Sequence, residues 1–354
     1  MPDKFLKLYT VDSPADNAYF LEKGNVYFYA SNMDKYSVRG NNLIIGSTEI
    51  ILTHMLSMPT ERMETAITPS KSSIKKLSVK KFLQGMQSFP FLMNTSIVLA
   101  QQVLLTNRVI NKNINSLEGI EKTIKDLAIS YYNAVDDLAA EYEKRKLPWL
   151  NDIFKKHQNT LTFKRGEAFS KSQQSITVKT SHQLSENVME YPRGSIICSE
   201  NTEGEEMYIL QAGSIDVEIK GNKVATIDQP GTVFGEMALL LNEKRTATLR
   251  ANNNTVISVI QKKMLREICE KEEDLLSSIA LSLARRHYFN IIKINTVNRA
   301  LLEKKLESPG NDPAKNPGQI DKIKIDISKL KTEISEAAYK KDAEFLNPII
   351  EILI

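Results

Sequence analysis

From Tyr191 to Glu236 the chain reads YPRGSIICSENTEGEEMYILQAGSIDVEIKGNKVATIDQPGTVFGE, a run of short β-branched and aromatic segments cut by Gly or Pro at hairpin-like intervals. Turn residues at that spacing predict a small antiparallel barrel. The last of these segments runs into a chemically pointed stretch, residues 234–251, which read FGEMALLLNEKRTATLRA. The turn at Gly235 leads into a short apolar run, Met237 to Leu241, whose first backbone N–H groups form an anion site if the run is helical. Arg245 supplies a planar cationic fork for phosphate oxygens. Glu236 alone would repel such an anion, so its use is read as accepting hydrogen bonds from hydroxyls on the same ligand. A ribose phosphate offers both groups.

This stretch resembles the phosphate-binding cassette of the cyclic nucleotide-binding domain, the module shared by protein kinase A regulatory subunits, the catabolite activator protein and cyclic-nucleotide-gated channels. The family's punctuation recurs upstream at Pro192, Arg193 and Gly194, at Glu203 and Gly204, at Gly213, and at Pro230 and Gly231. The resemblance implies a cyclic nucleotide ligand, cAMP or cGMP, bound without a metal. Glu236 would hold the ribose 2′-hydroxyl and Arg245 the cyclic phosphate, with Thr246 and Ala247 adding hydroxyl and backbone contacts. Phe234, Gly235, Met237 and Ala238 complete the cassette. Thr246 after the Arg is found in relatives that take cGMP and RTA also in relatives that take cAMP, so both remain open, with cAMP favoured. Lys244 stands where the family often has Pro, which implies a looser loop that keeps every ligand-binding group. In this family the helix after the barrel can swing over the pocket and cap the base. The residues that could form that lid are Arg286, Tyr288 and Phe289, together with their neighbours Arg285 and His287.

The barrel pattern occurs twice. Residues 18–29, AYFLEKGNVYFY, align with 207–217, and LIIGSTEIIL from Leu43 sits where TVFGEMALLL sits later. In this first copy Ser47 takes the place of Glu236. Arg62 follows Gly46 at a longer spacing than Arg245 follows Gly235, and Glu49 is expected on a different helical face. The first copy is therefore read as degenerate. Each copy ends in a helical stretch with apolar residues at i, i+3 and i+4. Between them lies a strongly charged helical segment broken at Pro148 and followed by a lead-in helix and a loop. The expected fold is mainly β with helices (α+β), comprising two cyclic nucleotide-binding-like antiparallel β-barrels of jelly-roll type. The domains would be 1–115, a degenerate nucleotide-binding-like domain; 116–158, a helical connector; 159–306, a nucleotide-binding domain with its lid helix; and 307–354, a flexible linker and helical tail.

At 354 residues the chain has room for two ordinary domains, and 42% hydrophobic with 25% charged residues is a globular profile. A net charge of +4 points to no nucleic-acid partner by itself. Cys198 and Cys269 fall in a predicted strand and helix, where packing is the usual role of a lone thiol. The amino terminus lacks a long apolar core and no segment reaches about 18 uninterrupted apolar residues, so neither export nor a membrane span is expected and the cytoplasm is the default. His54, His157, His182 and His287 show no metal-ligand spacing, and no catalytic motif is present, so the chain is read as a non-enzyme. The function expected is a sensor that binds the nucleotide in its second domain and relays it by lid movement. A protein partner or self-association would engage its helices and the apolar tail NPIIEILI. Two alternatives are a transcription regulator of the catabolite activator type, disfavoured because no helix-turn-helix follows the lid, and an interaction protein that has lost its ligand.

Overall fold

In the computed structural model, residues 5–58, 60–114, 120–171, 187–306 and 318–353 are described. The Lys/Ser-rich stretch at 172–186 and the linker at 307–317 lie outside them. Helix and antiparallel sheet are both present, as the sequence implies, and the chain divides into two compact units.

The first unit is Met1–Tyr29, Lys35–Leu105 and Gln173–Tyr288. Its amino-terminal strands are β1 (Phe5–Tyr9), β2 (Asn17–Tyr29), β3 (Lys35–Ile45), β4 (Thr65–Pro69) and β5 (Ile74–Ser78). They form one antiparallel sheet in the order β1-β4-β2-β3, with β5 also on β2. Helix α1 (Thr48–Leu56) follows β3, and α2 (Val79–Gly85) and α3 (Phe89–Ile114) follow β5. Gly24, aligned by pattern with the turn at Gly213, does not turn the chain. It pairs with Gly40 in mid-strand, whereas Gly213 has φ +93° between two strands.

The carboxyl-terminal strands are β6 (Val188–Tyr191), β7 (Ile196–Cys198), β8 (Glu206–Ala212), β9 (Ile215–Ile219), β10 (Asn222–Ile227), β11 (Val233–Phe234), β12 (Thr248–Ala251) and β13 (Thr255–Gln261). They make two four-stranded antiparallel sheets, β10-β9-β12-β7 and β11-β8-β13-β6. Strand alternation explains why β8 reads as an unbroken apolar run. Tyr208 and Leu210 join Ile215, Phe234, Leu249, Ile257 and Val259 in a core shared by the two sheets. Met207 and Ile209 point the other way, into a core with Leu239, Leu240, Ile260 and the helices. Helices α7 (Glu236–Leu241), α8 (Leu265–Lys271) and α9 (Glu273–Leu306) supply those helical residues together with α1 to α3. Both cysteines are free, Cys198 on β7 and Cys269 on α8.

By length and composition α3 could cross a membrane, but half of its most apolar stretch is buried inside the protein. Leu92, Leu99, Ala100 and Val103 account for this, as members of the core just described. The Thr95 and Ser96 hydroxyls return to the carbonyls of Phe91 and Leu92, which satisfies them without water.

The second unit is Ala30–Asp34, Thr106–Ser172 and Phe289–Ile354. The segment expected as a connector is α4 (Ile120–Arg145) and α5 (Pro148–His157), with Pro148 opening the new helix as the sequence suggests. These helices are more than a connector, because α4 lies at the centre of a separate core with α6 (Leu161–Lys171), α10 (Gln319–Lys341) and α11 (Asn347–Glu351). The loop expected after α5 is α6 instead. Gly166, inside α6, serves close approach, since a Cβ there would lie 2.0 Å from the Ala128 carbonyl oxygen. The apolar tail is taken up by its own helices: Leu346, Ile349 and Leu353 are buried in this core. Gly166→Ala should therefore cost about 1–3 kcal/mol through overpacking, read as a lower urea midpoint with an unchanged m-value.

One buried polar network in the first unit is unusually titratable. The Tyr36 hydroxyl lies 2.7 Å from Glu64 Oε2 and 2.9 Å from His287 Nε2, and His287 Nδ1 lies 2.8 Å from Thr48 Oγ1. Burial pushes the Glu64 carboxyl up to about 8 and the His287 imidazole down to about 3, so both are neutral at pH 7. A neutral Glu64 can donate to Tyr36, which then donates to His287, which donates to Thr48. Between pH 6.5 and 8 the folded chain retains a Glu64 proton that the unfolded chain has lost, so stability falls as pH rises through that window. Below 6.5 the His287 contribution opposes this, because only the unfolded chain takes up the imidazole proton. Thermal melts from pH 6.5 to 8 should show this decline in the parent and a flatter profile in Glu64→Gln.

Candidate functional site

Two arginines, one in each half of the first unit, occupy the same local setting. Gly235 has φ +75° and caps α7. Gly46, just before α1, has φ +76°. Both backbones need glycine for their conformation, and both also face an arginine at close range. A Cβ on Gly235 would lie 2.7 Å from Arg245 Nη1, and one on Gly46 would lie 3.0 Å from Arg62 Nη1. Each guanidinium donates to its glycine carbonyl, Arg245 at 2.7 Å and Arg62 at 2.8 Å. Each also lies over a tyrosine ring, Arg245 at 5.2 Å from the Tyr208 centroid and Arg62 at 4.4 Å from that of Tyr9.

The two sites differ in charge. Arg62, 1% exposed, donates to Glu49 Oε2 at 2.7 Å, and the Met63 N–H reaches Glu49 Oε1 at 3.2 Å. Glu49 lies in the first turn of α1, where Arg62 pairs with it. Arg245 is 5% exposed, and its partners among the described residues are neutral: the Gly235 carbonyl, the Glu206 carbonyl at 2.5 Å and the Tyr208 hydroxyl at 3.4 Å. Its Nε, like that of Arg62, is buried with no hydrogen-bond partner. A desolvated cation with a donor left over is suited to an incoming anion. Tyr208, which holds that guanidinium, was legible in the sequence only as part of an apolar strand.

The loop carrying Arg245 is firmly held. The Arg245 N–H donates to Thr202 O at 2.7 Å, the Asn201 N–H donates to Arg245 O at 2.8 Å, and Lys244 forms a backbone bridge with Glu203. Lys244 in place of Pro therefore does not loosen it. At six residues α7 is too short to make an anion site at its N-terminus, so the positive charge of the cassette is that of Arg245.

Glu236 is 4% exposed and accepts from Arg286 Nη2 on α9. Arg286, expected as a base lid, thus lies on the carboxylate assigned to the ribose. Phe234 is in the sheet core, stacked on Tyr208 at 5.3 Å, and Ala238 is buried on α7. Met237 and Tyr288 are partly buried against the helical core. Ala247 is half-buried and Thr246 exposed. Phe289 is 2% exposed in the second unit.

Removing Arg62 strands a buried carboxylate, whereas removing Arg245 strands only carbonyl groups. Arg62→Met should cost about 3–5 kcal/mol and Arg245→Met about 1–3 kcal/mol, and urea denaturation of the ligand-free variants gives the order.

Residues 188–272 match the family model of the cyclic nucleotide-binding domain. A cGMP-dependent protein kinase of Eimeria tenella is 38% identical over 81 residues, 23% of this chain and 8% of that one. A cAMP-dependent protein kinase regulatory subunit of Debaryomyces hansenii is 29% identical over 111 residues, 31% of this chain and 24% of that one. The chain thus spans at most about a quarter of these two curated relatives. Among solved structures, the regulatory domain of Toxoplasma gondii PKA with cAMP aligns over 78% of this chain and 83% of its own, at 14% identity and TM-score 0.23.

Proposed function

With residues 188–272 matched to the cyclic nucleotide-binding domain, we propose that this chain is a cytoplasmic regulatory sensor that takes a cyclic nucleoside monophosphate in its carboxyl-terminal module and relays its presence through α9 to a protein partner. The observation that carries the reading is the charge imbalance at Arg245, a buried guanidinium that meets only neutral acceptors among the described residues. A cyclic phosphate would supply the missing negative charge and an acceptor for the partnerless Nε. Glu236 on the same turn would take the ribose hydroxyl, with Thr246 and Ala247 beside Arg245 completing the cassette. The role is one of binding, not catalysis.

Residues 1–115 are read as a degenerate copy of the same module. The shared glycine geometry at Gly46 and Gly235, the tyrosine beneath each arginine and the glycine carbonyl that each arginine grips support this reading. Glu49 supplies Arg62 with the negative charge that a ligand would otherwise bring, so the first copy is read as structural, with one nucleotide bound per chain. Both kinds of named relative are consistent with the ligand class, and cAMP is favoured over cGMP.

Titration calorimetry on the whole chain tests this. The expected result is one site, tighter for cAMP than for cGMP. Arg245→Ala and Glu236→Ala should each weaken it by about tenfold or more, the loss of a charge-assisted hydrogen bond. Undiminished binding by a folded Arg245→Ala chain would remove the proposed site.

A further inference from the structure

Helix α9 meets the cassette and the amino-terminal half with adjacent residues. Arg286 donates Nη2 to Glu236 Oε1, and its own Nε is buried without a partner. The next residue, His287, is 1% exposed and held between Thr48 Oγ1 and the Tyr36 hydroxyl. Gln102 Nε2 reaches both Tyr36 and Glu64, at 3.3 and 3.2 Å, and closes that network. Thr48 is the first residue of α1 and Tyr36 lies in β3, so His287 is pinned by two elements of the degenerate copy.

Neighbouring residues on one continuous helix share its backbone, so a shift of α9 that draws Arg286 off Glu236 also pulls His287 against its two hydrogen bonds. A ligand hydroxyl that takes the position Arg286 holds on Glu236 Oε1 displaces it. The cost of that displacement is the ion pair together with whatever strain reaches the His287 anchor.

We propose that Arg286 competes with the nucleotide for Glu236, and that the His287 anchor sets the strength of that competition, so that the amino-terminal half tunes the affinity of the carboxyl-terminal cassette. Arg286 is a positioning residue in this scheme, acting through Glu236. The proposal rests on the reading of Glu236 as the ribose acceptor. Its energetics follow linkage: an anchor that stabilises the Arg286-on form lowers nucleotide affinity by the same factor by which nucleotide loosens the anchor.

The test is a titration of the full chain with cAMP and cGMP in five forms: the parent, Arg286→Ala, Tyr36→Phe, Thr48→Val and the double variant Arg286→Ala/Tyr36→Phe. Circular dichroism confirms folding of each. Arg286→Ala should bind about tenfold more tightly, and Tyr36→Phe and Thr48→Val a few-fold more tightly. Tyr36→Phe should add nothing once Arg286 is already Ala, which separates coupling from a general loosening of the fold. Unchanged or weaker binding by folded Arg286→Ala overturns the competition while leaving nucleotide binding in place. Parent-like affinity in both anchor variants, or an equal Tyr36→Phe effect in both backgrounds, overturns the anchor. Absence of binding in every form, Arg286→Ala included, would show instead that the nucleotide reading itself is at fault.

Discussion

A buried guanidinium without a carboxylate is the constraint on which the carboxyl-terminal half depends. Burying a cation costs several kcal/mol unless an anion or a full set of acceptors compensates it. Arg245 has carbonyls and a hydroxyl for part of its fork and nothing for Nε. The surrounding structure tolerates this because two sheets, the Gly235 turn and a backbone-strapped loop fix the arginine where it is. Arg62 shows the alternative solution. The same glycine geometry and the same tyrosine platform surround it, and Glu49 supplies the charge internally. Arg245 thus keeps only neutral partners among the described residues whereas Arg62 is paired with a carboxylate, and the Nε of each is buried without a hydrogen-bond partner.

Helix α9 gives that contrast a mechanical consequence. Its Arg286 lies on Glu236, and its His287 lies in a network kept neutral by burial. A neutral hydrogen-bonded anchor is directional without being salt-sensitive. It can therefore hold a helix in register one residue away from the ionic contact of Arg286 with Glu236.

The sequence made the cassette legible because its chemistry is contiguous: a Gly turn, a carboxylate and an arginine fall within a dozen residues between short segments punctuated by Gly and Pro. The break at Pro148 was visible for the same local reason. The Arg62 to Glu49 pair was not, since it depends on the path of the loop between them and not on helical periodicity. The close approach at Gly166 was not legible, because a glycine used for close helix packing looks in sequence like one used for a turn. Gly24 follows an aromatic-rich segment as Gly213 does, yet β2 runs straight on through it. The contacts of Arg286 and His287 join residues far apart in the chain, and no local pattern reports them.

The claim that Arg245 is the arginine left open, and Arg62 the one already closed, is tested most directly by an experimental structure of the whole chain grown with excess cAMP. The account predicts a single nucleotide with its phosphate on Arg245, Arg286 withdrawn from Glu236, and Arg62 still paired with Glu49. A nucleotide seated on Arg62, or one bound elsewhere while Arg245 keeps its carbonyl partners, would contradict it.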